Sequence, residues 1–283
     1  MNNAVYTEHI SKSFGSRQIL DDIGFSIGKG EIFGLLGPSG AGKTTLIKIL
    51  TGQLHPDTGI SYINNVPSDA LHGEERRHFG IMMDHFGLYE RLSCFDNLKI
   101  FARLYRTHTT QIHSALASVG LSDARNTVVS ALSKGMKSRL RLARALMTDP
   151  DIIFLDEPTS GLDPATAQEI HQLLLSEKQK GKTIFLTTHN MAEAEKLCDH
   201  IALLCDGKIV EHGAPQEICR RYHHQKKLRL HLADGSDKEL PHDAAAAGVL
   251  CELLKTGMLE TIHSTEPDLE TVFMELTGKE LAV

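Results

Sequence analysis

Glu31-Ile32-Phe33-Gly34-Leu35-Leu36-Gly37-Pro38-Ser39-Gly40-Ala41-Gly42-Lys43-Thr44 is the stretch that decides the fold. Its first half is a short apolar run bounded by glycines, the mark of a buried strand. Its second half matches G-x-x-x-x-G-K-[ST]. Thr45 to Leu50, followed by Thr51-Gly52, reads as about one to two helical turns with a glycine stop. Strand, glycine loop and helix form the context this motif requires. Glycines let the backbone wrap so that successive N–H groups face phosphate oxygens, and the helix start adds a partial positive charge. The expected phosphate-binding set is therefore Gly37, Pro38, Ser39, Gly40, Ala41, Gly42, Lys43, Thr44 and Thr45. Within it Lys43 carries the point charge for the β- and γ-phosphates, and the Thr44 hydroxyl is a magnesium ligand. Alone, the motif specifies a nucleoside triphosphate and nothing narrower.

A second apolar run, Asp151-Ile152-Ile153-Phe154-Leu155, ends in Asp156-Glu157-Pro158. An acid at the end of such a strand holds magnesium opposite the phosphate loop, so Asp156 joins Thr44 in the metal set. The acid beside it has a different task, to orient the attacking water or accept its proton, which makes Glu157 the candidate for the chemical step.

Asp156-Glu157-Pro158-Thr159-Ser160-Gly161-Leu162-Asp163-Pro164 closely resembles the magnesium-site and D-loop segment of ABC transporter ATPases. Leu132-Ser133-Lys134-Gly135-Met136-Lys137 resembles that family's signature motif, and it opens a stretch with the apolar spacing of an amphipathic helix. Thr183-Ile184-Phe185-Leu186-Thr187-Thr188 is a β-rich run ending in His189, where the family has its switch histidine. The resemblance covers roughly residues 4–218 with the motifs in order. It implies an α/β P-loop fold of the ABC ATPase type, with an inserted helical subdomain over about 85–150 and a small α+β C-terminal appendage over 219–283. It implies ATP and Mg²⁺ as cofactors and an ATPase that energises a separately encoded membrane permease. It also implies a head-to-tail homodimer or heterodimer in which Ser133, Gly135 and Met136 face the γ-phosphate held by the opposite subunit. Glu157, His189 and Asp163 form the implied catalytic set, and Phe14 matches the aromatic that stacks on adenine. Read without the resemblance, His189 is a structural histidine, and the alternative for Phe14 is a core aromatic.

The sequence departs from the family in two places. Gln normally opens the loop between the core and helical subdomains, where it contacts Mg²⁺; here Asp84 stands there, a carboxylate that suits magnesium but adds negative charge. The signature carries Lys134 and Met136 where Gly and Gln are usual, a variant that looks like the branch serving drug and antibiotic exporters. The cargo class implied is a drug-like, peptide or lipid-like compound; an importer ATPase and a non-transport ABC ATPase with a soluble partner are the alternatives.

The remaining sequence bounds these expectations. With 283 residues and a net charge of −6, the chain has no overall basic field, and no nucleic-acid partner is expected. Its five cysteines are odd in number and include no C-x-x-C pair, as expected of reduced thiols. No apolar run nears the roughly 20 residues of a bilayer span, so a cytoplasmic protein on the inner face of the membrane is expected. Asp163 with Pro164 reads as a helix start, Gly181 as its end, and Asp206-Gly207 as a hairpin turn. Residues 4–36 read as short strands, Arg220 to Lys227 as a solvated linker or surface strand, Leu228 to Leu232 as a strand, and 266–278 as a short amphipathic helix. The His223-His224 pair makes no metal site without further ligands.

Overall fold

The structure is a computed structural model that describes residues 3–73, 75–83, 87–222, 227–265 and 267–278. It divides into two compact units, the first reaching Ala214 and the second beginning at Pro215. The first unit runs β1 (Asn3–Phe14), β2 (Arg17–Gly28), β3 (Ile32–Leu36), α1 (Lys43–Leu50), β4 (Thr58–Ile63), β5 (Val66–Pro67) and β6 (Phe79–Met82). It continues through α2 (Cys94–Tyr105), α3 (Thr109–Ser118), α4 (Lys134–Leu146), β7 (Ile152–Asp156), α5 (Pro164–Gln179), β8 (Thr183–Thr188), α6 (Met191–Leu197), β9 (His200–Cys205) and β10 (Lys208–Gly213).

Two sheets result. Strands β2-β1-β4-β5 form an antiparallel sheet, and β10-β9-β3-β8-β7-β6 form a sheet that is parallel except for the β10 edge. Strands β3, β7 and β8 are buried along their whole length, because strands covered on both faces need continuous apolar side chains. Between the sheets lies a core that includes Ile10, Ile23, Leu46 and Ile47. In it Phe25 stacks on Phe33 at 5.0 Å, Phe33 on Phe185 at 5.8 Å, and Phe154 lies 5.8 Å from Phe185.

In residues 4–36 the expected short buried strand β3 is present, while β1 and β2 are 12-residue strands rather than short ones. Irregularities where His9 (φ 53°) and Asp22 (φ 57°) take left-handed backbone let β1 and β2 stay paired past Gly24. The hairpin at Asp206-Gly207 is present, with φ 47° and 79° as a primed turn requires.

Helices α2, α3 and α4 pack together and bury Leu98, Ile112, Leu116 and Leu140. Fully buried Asn97 pins the preceding loop: its Oδ1 accepts from Tyr89 N (2.7 Å) and its Nδ2 donates to the carbonyls of Tyr89 (3.1 Å) and Ser93 (2.9 Å).

The second unit comprises α7 (Pro215–Arg221), β11 (Lys227–Leu232), β12 (Asp237–Pro241), α8 (Ala246–Lys255), β13 (Leu259–Thr265) and α9 (Leu269–Thr277). Its three antiparallel strands, ordered β12-β11-β13, bury Leu228, Leu230 and Leu232 together with Ala246 of α8. Arg220 and Arg221 close helix α7, so that part of the expected linker is helical. His223 and His224 lie outside the described residues. No helix among the described residues is long and apolar enough to cross a membrane.

Candidate active site

The phosphate loop leaves the C-terminal end of β3 and enters α1 at Lys43. Gly42 has φ 111°, and a Cβ there would meet the Ile19 carbonyl at 2.9 Å, so both conformation and space demand glycine. Lys43 is buried; its Nζ donates to the carbonyls of Gly37 (2.6 Å) and Pro38 (3.3 Å) and pairs with Glu157 Oε1 at 3.1 Å.

Thr44 Oγ1 donates to Asp156 Oδ2 at 2.7 Å, and Thr187 Oγ1 donates to Asp156 Oδ1 at 2.6 Å. Asp156 is thus oriented by hydroxyls from α1 and from the neighbouring strand. A hydroxyl and a carboxylate oxygen this close are a hard-oxygen donor pair suited to Mg²⁺, which uses one or two protein oxygens and completes its shell with phosphate and water. Among the described residues no group of three or more His, Cys, Asp or Glu is placed to hold a metal by itself.

Glu157 follows at φ 51°, with its amide donating to the Thr187 carbonyl at 3.1 Å. Left-handed backbone is uncommon for a non-glycine residue and clusters at functional sites. His189, just beyond β8, places Nδ1 2.7 Å from Glu157 Oε2. Parallel pairing of β3 with β8 and β8 with β7 aligns the three strand ends, which brings residues distant in sequence to one edge.

A cleft of about 480 Å³ lies over this edge, lined by Phe14, Ser39, Gly40, Gly42, Lys43, Thr44, Thr45, Asp156 and Glu157 among others. Phe14 is 53% exposed at the end of β1, directly across the hairpin from Arg17, and so is no core aromatic. Arg17, Ile19, Lys48 and Met83 also line the cleft and were not anticipated. Arg17 was traceable, since it stands opposite Phe14 in the hairpin, and Ile19 follows two residues on along the same strand. Met83 and Lys48 carry no motif.

Ser133, Gly135 and Met136 do not line this cleft. Ser133 caps α4, its Oγ accepting from Met136 N at 3.2 Å, and no acid occupies the first turn of that helix. A Cβ on Gly135 would meet Thr166 Cγ2 at 2.8 Å, and one on Gly161 would meet Lys134 Nζ at 2.1 Å, so the start of α4 sits against the start of α5 and its preceding loop. Asp163 caps α5, accepting from Thr166 N (3.0 Å) and Thr166 Oγ1 (2.7 Å), and these bonds hold its carboxyl below the usual range. Asp84 lies outside the described residues.

A strand–loop–helix phosphate site facing two consecutive acids at the end of β7 defines a P-loop nucleoside triphosphatase. The model of the ABC transporter family matches residues 20–160. The chain is 41% identical over 266 residues to the fluoroquinolones export ATP-binding protein of Mycobacterium tuberculosis, covering 91% of this chain and 87% of that protein. It is 34% identical over 303 residues to the Nod factor export ATP-binding protein I of Rhizobium meliloti, covering 98% and 89%. Among solved structures, an ATP-binding cassette of an ABC transporter in its ADP conformation matches with TM-score 0.69 and 27% identity, over 77% of this chain and 93% of that one. A dimeric cassette in a post-hydrolysis state bound to ADP and phosphate matches with TM-score 0.68 and 27% identity, over 74% and 98%. The chain belongs to the ABC transporter family and is one of its ATP-binding, ATP-hydrolysing subunits.

Proposed function

We propose that this subunit energises export of a drug-like, peptide or lipid-like compound through a separate membrane permease, from the cytoplasmic face of the membrane. Residues 1–218 are the ATP-binding domain in this reading, and 219–283 an accessory region. The observation that carries the chemistry is the convergence on one cleft edge of Lys43, Thr44, Asp156, Glu157 and His189, linked by contacts of 2.7 to 3.1 Å. Export is supported by the names of relatives aligned over nearly the whole chain.

Lys43 and the loop amides bind the β- and γ-phosphates, and Phe14 packs on the adenine. Thr44 and Asp156 would hold Mg²⁺, which when bound neutralises charge on the β- and γ-phosphate oxygens. Glu157 takes a proton from water as its oxygen attacks the γ-phosphorus; the bond to the β–γ bridging oxygen breaks, giving ADP and phosphate. His189 contacts the γ-phosphate and orients Glu157. Ser133, Gly135 and Met136, at an exposed helix start without acids, bind the γ-phosphate of the opposite subunit, making ATP part of the dimer interface. Asp163 shapes the start of α5 beside that interface.

Glu157→Gln is the direct test. ATP affinity is expected to persist, turnover to fall by about 10²–10⁴, and an ATP-bound dimer to accumulate on size-exclusion chromatography. Unchanged turnover would remove Glu157 from its role. Co-purification with a polytopic membrane protein supports transport; a soluble partner in its place supports the non-transport alternative.

A further inference from the structure

Beside the nucleotide cleft, a second cleft of about 350 Å³ opens between the loop after β7, the start of α5 and the start of α6. Glu193 lies in its wall and is only 3% exposed. It is the third residue of α6, and its backbone N donates to the capping Asn190 Oδ1 at 3.0 Å, so the sequence explains the residue fully as part of a helix start. A place in the first turn needs no burial, yet the side chain is buried.

Its two oxygens collect donors from three separate elements. Oε1 accepts from Thr159 Oγ1 at 2.5 Å and from His171 Nε2 at 2.8 Å; Oε2 accepts from Thr188 Oγ1 at 2.7 Å. Thr159 belongs to the loop two residues beyond Glu157, His171 to α5, and Thr188 is the last residue of β8, adjacent to His189. Burial pushes the Glu193 carboxyl up, but the bonds from His171, Thr159 and Thr188 outweigh it and leave the group below its ordinary value. A buried carboxylate with three donors on three elements is a fixed cross-link between them.

The two segments it joins carry the two ends of the Glu157–His189 contact. Glu157 sits in left-handed backbone, which persists only where the surroundings over-determine it. Its loop is held from one side by Ser138 Oγ donating to the Pro158 carbonyl at 3.0 Å, and from the other by the bond from Thr159 to Glu193.

We propose that Glu193, with His171 as its donor, is a positioning residue for ATP hydrolysis: it holds the loop that carries Glu157 in register with the strand end that carries His189. The proposal rests on the roles assigned above to Glu157 and His189. Glu193 does not line the nucleotide cleft, so its contribution falls on the chemical step and not on nucleotide affinity. Misplacement of a reacting group by about 1 Å costs on the order of 10²-fold in rate.

The test is steady-state ATPase kinetics of the full chain, with binding of a fluorescent ATP analogue measured in parallel. For Glu193→Gln, kcat is expected to fall about 10- to 100-fold, while KM and analogue affinity stay within about threefold. His171→Leu is expected to lower kcat in the same way, and His171→Gln, whose side-chain amide still donates, to restore most of it. If Glu193→Gln fails to fold, His171→Leu against His171→Gln decides the matter alone. Unchanged kcat, or a loss shared equally with KM and affinity, overturns the proposal, as does equal damage from both His171 variants. Glu157→Gln in the same series separates the two readings. If it abolishes turnover while Glu193→Gln does not, only the positioning role is lost; if it leaves turnover intact, the catalytic assignment falls and the positioning role with it.

Discussion

Glu157 and Glu193 are both carboxylates beside short threonine-rich strand ends, yet their surroundings give them different work. Glu157 lies between Lys43 and His189 at the edge of a cleft; Glu193 is withdrawn among hydroxyls and an imidazole. The withdrawal has a consequence for stability. The folded carboxyl titrates below its ordinary value of 4.5, so its stabilising contribution is complete above that value and is lost as pH falls through the lower, folded one. Wild-type protein is therefore expected to melt at a higher temperature than Glu193→Gln from pH 8 down to about 5. The gap should close as acidification continues below pH 4.5. A gap independent of pH across that range would assign the difference to packing rather than charge. His189 was legible only by its position after β8, whereas Glu193 carried no mark of burial, because an acid in the first turn of a helix is equally expected on a solvated surface.

Helix α4 runs from the segment at Ser133 to the side chain that holds the loop at Gly87. Its first turn presents Ser133 as cap, and near its last turn Arg144 reaches back to the loop that leads into the helical subdomain. Arg144 Nη1 donates to the Gly87 carbonyl at 3.1 Å, and the guanidinium lies 4.9 Å from the Phe101 ring centroid. Gly87 has φ 97°, and a Cβ there would lie 2.0 Å from Arg144 Nη1, so the arginine occupies the space that a side chain would need. Burial lowers the Arg144 pKa, yet an arginine remains charged at any working pH. Arg144→Ala is expected to cost about 1–3 kcal/mol through a weakened carbonyl contact and a lost ring contact. Amide exchange should rise first in residues 87–93; uniform exchange across the chain would show that the contact does not hold that loop. The helical pattern and the three arginines of this stretch were visible in sequence. Which arginine turned inward was not, since periodicity gives a face and not a partner.

At the scale of the molecule, the two parts of the proposed shared site, the cleft around Lys43 and the helix start at Ser133, do not meet within one chain: Ser133 does not line that cleft. A site shared between subunits predicts complementation. Lys43→Ala and Ser133→Ala protein should each be inactive alone, because every site in either homodimer lacks one half. Mixed in equal amounts, they form heterodimers with one intact site, and about a quarter of wild-type ATPase activity should return. No recovery on mixing would mean that the two halves act within one chain, or not at all. Within each chain, the aromatic stack of Phe25 with Phe33 and Phe185 joins the antiparallel sheet to the parallel one.

The sequence by itself determined the phosphate loop, the acids at Asp156 and Glu157, the starts of α4 and α5 and the Asp206-Gly207 hairpin. Each is a local pattern in which neighbouring residues satisfy one another's backbone or present one chemistry. Only the tertiary structure decided that Thr44, Thr187 and Asp156 share two hydrogen bonds, that Phe14 faces the cleft with Arg17, and that Glu193 gathers Thr159, His171 and Thr188. Parallel pairing of β3, β8 and β7 sets the first and last of those meetings, joining segments separated in sequence by helices, whereas Phe14 and Arg17 meet across the antiparallel β1–β2 hairpin. Side-chain type constrains a residue's own helix or strand, but the partner across a sheet depends on the order in which the strands pack.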